Sequence, residues 1–139
     1  MRTLNVLDNA LKVMAEPMEQ MESVSIGMWI RAGGRYENTS NSGISHVLEH
    51  MLFKGTKTRD MKTIKQMIEG RGGSFNGFTS EEYTCYWVKL LAKDAELGVD
   101  ILSDMVFNSK LDADELAKEK SVIIEEINMY KDMPAQHVH

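Results

Sequence analysis

The chain has a single cysteine, Cys85, and two prolines. One cysteine excludes an internal disulfide and suits a reducing compartment. No apolar run approaches the roughly 18 residues that a membrane span needs, so no membrane partner is expected. The N-terminus, Met1-Arg2-Thr3-Leu4-Asn5-Val6, lacks the charged-then-apolar pattern of a secretory signal. There is no internal repeat, low-complexity stretch or flexible linker. Charge of one sign is also scarce: the net charge is -5, with the acidic residues scattered. That excludes an acidic tail and argues against a nucleic-acid partner.

What remains is ordinary in composition. The 139 residues, 42% hydrophobic and 27% charged, suffice for one domain with a core. Eleven methionines are many. Several, such as Met61 and Met67, read as helix packing. Cys85, within Tyr83-Thr84-Cys85-Tyr86-Trp87-Val88, reads as a packed strand residue rather than a reactive thiol.

Periodicity predicts the element order. Leu4 to Leu7 and Leu11 to Ala15 are strand-like, with Asp8-Asn9-Ala10 as the turn. Val24 to Ala32 alternates as a strand with one buried face, ending at Gly33-Gly34. A polar loop from Arg35 to Ser42 precedes a helix that starts between Ser42 and Ser45 and runs to about Phe53, with Gly55 as its stop. A second helix spans about Asp60 to Glu69, with Ile64 and Ile68 on one face. Strands over Ser74 to Thr79 and Tyr83 to Leu91 follow, then helices over Lys93 to Asn108 and Asp112 to about Lys131, the last stopping before Pro134. This order predicts an α+β fold: a mostly antiparallel sheet with helices packed on one face. The chain ends at His139 with no closing strand, which implies part of a larger protein. His137 and His139 read as the end of a truncated helix rather than as a second metal pair.

The chemistry lies in His46-Val47-Leu48-Glu49-His50. Helical residues advance by about 100° each, so His46 and His50 share a face one turn apart, with Glu49 beside them. Two neutral imidazoles so spaced can reach one zinc ion, and the carboxylate can take a proton from a water activated there. The order is that of the inverted zincin motif. A surface His/Glu cluster needs no metal, so the five residues alone leave both readings open. Val47, Leu48, Met51, Leu52 and Phe53 make the segment apolar and predict that it is mostly buried, where these polar groups would need a shared partner.

A catalytic zinc takes three protein ligands and keeps one position open. The last predicted helix carries Glu119 and Glu126, about 20° apart on the helical wheel, within a stripe of Leu116, Val122, Ile123, Ile127 and Tyr130. Glu125 falls about 120° away and is expected to face solvent. Two carboxylates on an apolar stripe need a cation. Zinc with histidine, or salt bridges to lysines, would each meet that need.

These blocks together resemble the pitrilysin/insulinase family of zinc peptidases. Ser23 to Gly33 resembles the strand before the family's metal site. Gly43-Ile44-Ser45 leads into the metal helix, and Met51-Leu52-Phe53-Lys54-Gly55-Thr56 follows it. Asn76-Gly77-Phe78-Thr79-Ser80 and Glu119 to Glu126 match two further blocks. The subgroup it is most similar to is the bacterial relatives of the mitochondrial processing peptidase β-subunit, which implies a bacterial cytoplasmic location.

The resemblance implies that His46, His50 and Glu126 bind one Zn2+ and that Glu49 is the general base. It implies that Glu119 supports a ligand histidine, and that Asn76, Gly77, Phe78 and Thr79 form the edge strand on which a peptide substrate lies. A strand only packed within the sheet is the other reading of that segment. Gly77 stands where the family usually has alanine, and glycine there is expected to leave more room. The resemblance further implies that residues 1–139 are a partial N-terminal zinc-peptidase domain. Its partner would be a missing C-terminal half or a partner subunit, without which the fragment is expected to be inactive. A non-catalytic partner subunit or peptide-binding scaffold of the same fold is the alternative function.

Overall fold

A computed structural model describes residues 1–131 of the protein. The pair His137 and His139 and the stop before Pro134 lie outside the described residues. Two antiparallel strands, β1 (Thr3–Val6) and β2 (Lys12–Ala15), form their own ribbon. Its turn is the predicted one. Ala10 takes a left-handed conformation with φ 67, held by its N–H on the Leu7 carbonyl at 2.8 Å. The Asn9 side chain accepts from the Leu11 N–H at 3.1 Å and steadies the turn, while Ala10 itself bears the left-handed conformation that glycine would take without strain.

The main sheet has the order β3-β5-β4, with β3 Ser23–Ile30, β4 Ser74–Thr79 and β5 Thr84–Leu91, all antiparallel. β3 stops two residues short of the predicted Ala32. There the Ala32 carbonyl accepts from Thr84 Oγ1 at 3.0 Å, and the Ala32 N–H bonds back to Ile30. Register places Val24, Ile26, Met28 and Ile30 on the face of Leu90, Val88, Tyr86 and Thr84. Phase along β4 puts Phe75, Gly77 and Thr79 on that same face.

Four helices follow the predicted order: α1 Ile44–Leu52, α2 Met61–Glu69, α3 Ala95–Asn108 and α4 Ala113–Lys131. The core lies between the sheet and the helices. Val88, Leu90 and Tyr86 meet Leu52 of α1, Ile64 and Ile68 of α2, and Ile101, Leu102 and Met105 of α3. α3 comes close because it carries Gly98, where a Cβ would stand 3.0 Å from Ile26 Cδ1 and 3.1 Å from Val88 Cγ1. α2 starts where Asp60 accepts from the Thr63 N–H at 2.7 Å. Met67 packs on the core as expected, but Met61, at the first position of α2, is 48% exposed. It precedes the turn on which the buried stripe of Ile64 and Ile68 begins.

The opposite face of the sheet carries Trp29, Phe78 and Cys85 in register. Trp29 meets Phe78 and Tyr83 edge-on, with ring centroids 5.7 and 5.1 Å away. Cys85 lies between its cross-strand partners Trp29 and Phe78 and is 2% exposed, and its burial pushes the thiol up. The thiol is a packed one. No helix among the described residues is long and apolar enough to cross a membrane.

Candidate metal centre

Helix α1 begins at Gly43, whose φ of 87 and missing side chain give the helix no cap of its own. Glu37 supplies one from the preceding loop. Its Oε2 accepts from the Gly43 N–H at 2.6 Å and its Oε1 from the Ser45 N–H at 2.8 Å. These bonds to Ser45 and Gly43 hold the Glu37 carboxyl below its usual range. Glu37 carries no local capping signal, because a capping side chain is ordinarily a Ser, Thr, Asp or Asn at the cap itself.

The other end of α1 is fixed by the segment that follows. The Asp104 carboxylate on α3 accepts from Thr56 Oγ1 at 2.7 Å, Thr58 Oγ1 at 2.9 Å and Arg59 Nη1 at 2.8 Å through Oδ2. Its Oδ1 accepts from Asn108 at 3.0 Å. Burial pushes the Asp104 carboxyl up, but these donors outweigh it and hold the group below its usual range. Gly55, with φ 115, makes the bend that brings this segment onto α3.

Between these anchors, α1 buries Ser45, Met51 and Leu52. The segment is less buried than its apolar content predicts: Leu48 is 37% and Ile44 46% exposed. The His46 side chain is 36% exposed and that of His50 18%. α1 is a short helix with β4 on one side and α4 on another, so its histidine face lines a cleft rather than a core. α4 differs in the same sense. Glu119 and Ile123 are each 7% exposed, but Val122 and Ile127 stand 43% and 44% exposed and the Glu126 side chain 36%. α4 rests chiefly on α1, which covers a line and not a wide stripe. Glu125 is exposed, as expected.

α1 and α4 bring three of the named residues together. His46 Nε2 and His50 Nε2 are 3.2 Å apart, and Glu126 Oε2 lies 3.6 Å from the first and 3.5 Å from the second. Ligand atoms ~2.0–2.1 Å from a tetrahedral zinc ion stand about 3.3–3.4 Å apart, so this triangle has the dimensions of one face of such a site. Glu119 Oε2 lies 3.0 Å from His50 Nδ1, an acceptor that fixes the Nδ1–H tautomer and leaves Nε2 as a lone pair. Glu119 Oε1 accepts from Lys54 Nζ at 2.6 Å. Burial pushes the Glu119 carboxyl up, but Lys54 and His50 outweigh it and hold it below the usual carboxylate range. A lysine bridge and a histidine bond thus coexist at Glu119, whereas among the described residues Glu126 pairs with two histidines. The part of Lys54 had no local sequence signal.

Glu49 reaches the edge strand β4. Its Oε2 accepts from Thr79 Oγ1 at 2.6 Å. Glu49, His50, Phe53, Lys54, Asn76, Glu119 and Glu126 line a common cleft of about 330 Å³. Burial, and secondarily the charge of Glu49, push the neighbouring Tyr86 phenol up, so it stays protonated. A larger cleft of about 490 Å³ at Trp29, Arg31, Arg35, Tyr36 and Tyr83 includes none of these groups.

β4 is the outer strand beside β5, so Asn76, Gly77, Phe78 and Thr79 lie along an edge of the sheet and not within it. Asn76 Oδ1 accepts from the Gly77 N–H at 2.8 Å. Gly77 does not leave the room expected of a glycine. A Cβ there would meet the Phe53 ring at 3.1 and 3.2 Å and the Cys85 carbonyl at 3.3 Å.

The sequence profile described as insulinase (peptidase family M16) matches residues 12–139. The chain is 47% identical over 131 residues to the uncharacterized zinc protease YmxG of Bacillus subtilis, covering 94% of this chain and 32% of that one. It is 41% identical over 128 residues to an uncharacterized zinc protease of Mycobacterium leprae, covering 92% of this chain and 29% of the relative. Its fold is similar to the crystal structure of a protease from Helicobacter pylori, with a TM-score of 0.88 and 27% identity over 94% of this chain and 32% of that one. The chain therefore spans about a third of the length of the relatives it matches.

Proposed function

Since the chain belongs to the insulinase family, peptidase family M16, we propose that it carries the zinc centre of an endopeptidase acting on short or unfolded polypeptides. One observation carries this reading: His46 Nε2, His50 Nε2 and Glu126 Oε2 converge within 4.8 Å of one another. With His50 protonated on Nδ1, at most one proton, on His46, can lie among the three in their ordinary charge states. That proton can serve one neighbour and leaves the other with none. A single divalent cation serves all three, and three donors of this kind leave a fourth position open.

Zinc, when bound, would act as a Lewis acid, making a water acidic near neutral pH and polarising the peptide carbonyl. Glu49 is the base in this reading. Its Oε2 is held by Thr79, which leaves Oε1 to take the proton of the attacking water and return it to the leaving amine. Glu119 orients His50 through Nδ1. The edge of β4, Asn76 to Thr79, would pair main chain to main chain with an extended peptide. Asn76 Oδ1, which covers the Gly77 N–H at 2.8 Å, would swing aside for it. The other wall of the substrate chamber belongs to the missing C-terminal half or a partner subunit, so residues 1–139 alone are read as a poor peptidase. The single cysteine, packed and unpaired, suits an enzyme of a reducing compartment, as the bacterial cytoplasm is.

The test begins with metal content. The wild-type chain should purify with zinc or take it up, and Glu126→Gln should not hold it. Equal retention by both removes Glu126 from the ligand set. In the full-length protein, Glu49→Gln should keep zinc and lose turnover by ~10²–10⁴-fold, the range of general base contributions. Undiminished turnover would assign the base elsewhere. A wild-type protein that holds zinc but cleaves nothing would favour the peptide-binding scaffold.

A further inference from the structure

α4 carries Glu126 but is thinly anchored. Of its apolar side chains with described burial, Ile123 is buried and Leu116 half-buried, while Val122, Ile124, Ile127 and Met129 are 43%, 58%, 44% and 50% exposed. Its other buried contact is polar. Glu119, 7% exposed, receives Lys54 Nζ at 2.6 Å and His50 Nδ1 at 3.0 Å, one on each carboxylate oxygen. Lys54 lies just past the end of α1, its side chain 23% exposed, in the segment that Asp104 ties to α3. It is therefore a fixed point on the body of the domain and not a free surface lysine.

From this we infer that Lys54 is a positioning residue: its ammonium latches α4 to α1 through Glu119 before any metal arrives, and so presets Glu126 opposite His46 and His50. Leverage explains why the latch matters. Glu126 lies seven residues beyond Glu119, ~10 Å along the helix, so a tilt of about 6° at Glu119 moves Glu126 by about 1 Å. Zinc ligand distances tolerate only about ±0.2 Å. Without Lys54, Oε1 of a buried carboxylate has no partner, and the helix gains by lifting that group into water. The effect on zinc rests on the metal reading proposed above. The latch itself does not.

Two measurements on the metal-free and zinc-loaded chain separate these parts. Lys54→Met should speed amide hydrogen exchange across α4 at least tenfold and leave β5 and α3 unchanged. It should weaken zinc affinity, measured by chelator competition, at least tenfold. Lys54→Arg, which keeps a donor cation, should recover most of both. Unchanged exchange in α4, or equally faster exchange in β5 and α3, overturns the latch. Faster exchange in α4 with undiminished zinc affinity overturns the presetting of Glu126. If the wild type binds no zinc, the metal reading fails, while the exchange experiment still decides whether Lys54 docks α4.

Discussion

Thr79 donates a hydrogen bond to Glu49 at 2.6 Å, and this contact joins the edge strand β4 to the metal helix α1. Thr79 Oγ1 also lies 3.3 Å from Thr84 Oγ1, whose own hydroxyl donates to the Ala32 carbonyl at 3.0 Å. Each hydroxyl has one proton, given to Glu49 and to Ala32 respectively, so the two threonine oxygens touch without a hydrogen bond between them. The proposed base and the strand proposed to hold the peptide are set relative to each other by one side chain.

Thr79→Val keeps the shape of this residue and removes the donor. A hydrogen bond to a charged group is worth about 1.5–3 kcal/mol, so a loss of roughly tenfold or more in kcat is expected in the full-length enzyme. Zinc content and KM should change little, and Thr79→Ser should recover most of the loss. A variant with undiminished kcat would show that Glu49 needs no support from the strand.

Glu37 should matter for the metal helix although it lies outside it. Glu37→Ala removes both acceptors from the Gly43 and Ser45 N–H groups. The expected cost is ~1 kcal/mol, as for loss of a helix cap, read by urea denaturation of the metal-free chain. Exchange of the first-turn amides of α1 should quicken, while those of α3 should not. A wild-type denaturation midpoint would mean that water replaces the carboxylate without loss.

Acid should unfold the metal-free chain through its held carboxylates. Asp104, Glu37 and Glu119 have folded pKa values below their unfolded ones. Such groups contribute stability that is fully present above the unfolded value, about 3.9 for Asp and 4.3 for Glu. It is lost as pH falls through the folded value. The stability they supply should therefore be intact at pH 6 and decline below about pH 4. Asp104→Asn should cost about 3 kcal/mol at pH 7, the lower end for breaking a buried ion pair. It should also flatten the acid limb. Denaturation midpoints at pH 7, 4 and 3 for both proteins test this, and parallel pH profiles would exonerate Asp104.

The α+β order of elements was legible because its signals are local. Alternation marks β3, the spacing of Ile64 and Ile68 marks α2, and Gly55 marks the bend after α1. That His46, His50 and Glu126 could meet was legible in part: the i, i+4 spacing is local, and Glu126 stood out as a charge on an apolar stripe. Lys54 and Glu37 were not legible in those roles, since each acts on a partner set by the fold, 65 residues away at Glu119 or across a loop at Gly43. α1 and α4 are less buried than their apolar patterns predict for the same reason. Periodicity gives the apolar side of α4 but not the width of what covers it, and α1 covers a narrow line.

Gly77 shows how a close packing contact reverses an expectation from residue size. Small size suggested free space on the substrate strand, but Phe53 fills that space, with its ring atoms 3.1 and 3.2 Å from where a Cβ would stand. Phe53 cannot retreat easily. It packs on Phe75 and Tyr86 at centroid distances of 5.6 and 5.8 Å, and Tyr86 is a buried core residue. Glycine in a strand costs about 0.5–1 kcal/mol relative to alanine, whereas overpacking costs about 1–3 kcal/mol. Gly77→Ala should therefore destabilise the chain, by roughly 1 kcal/mol on that balance. Combined with Phe53→Leu, which removes the offending ring edge, the alanine should become neutral or stabilising. A double-mutant cycle in urea should then show a coupling of about 1 kcal/mol, whereas independent sites would add within ~0.5 kcal/mol. Additivity would mean that the ring shifts freely. Since Phe53 also lines the cleft with Glu49 and His50, such freedom would make that wall of the cleft adaptable to substrate side chains.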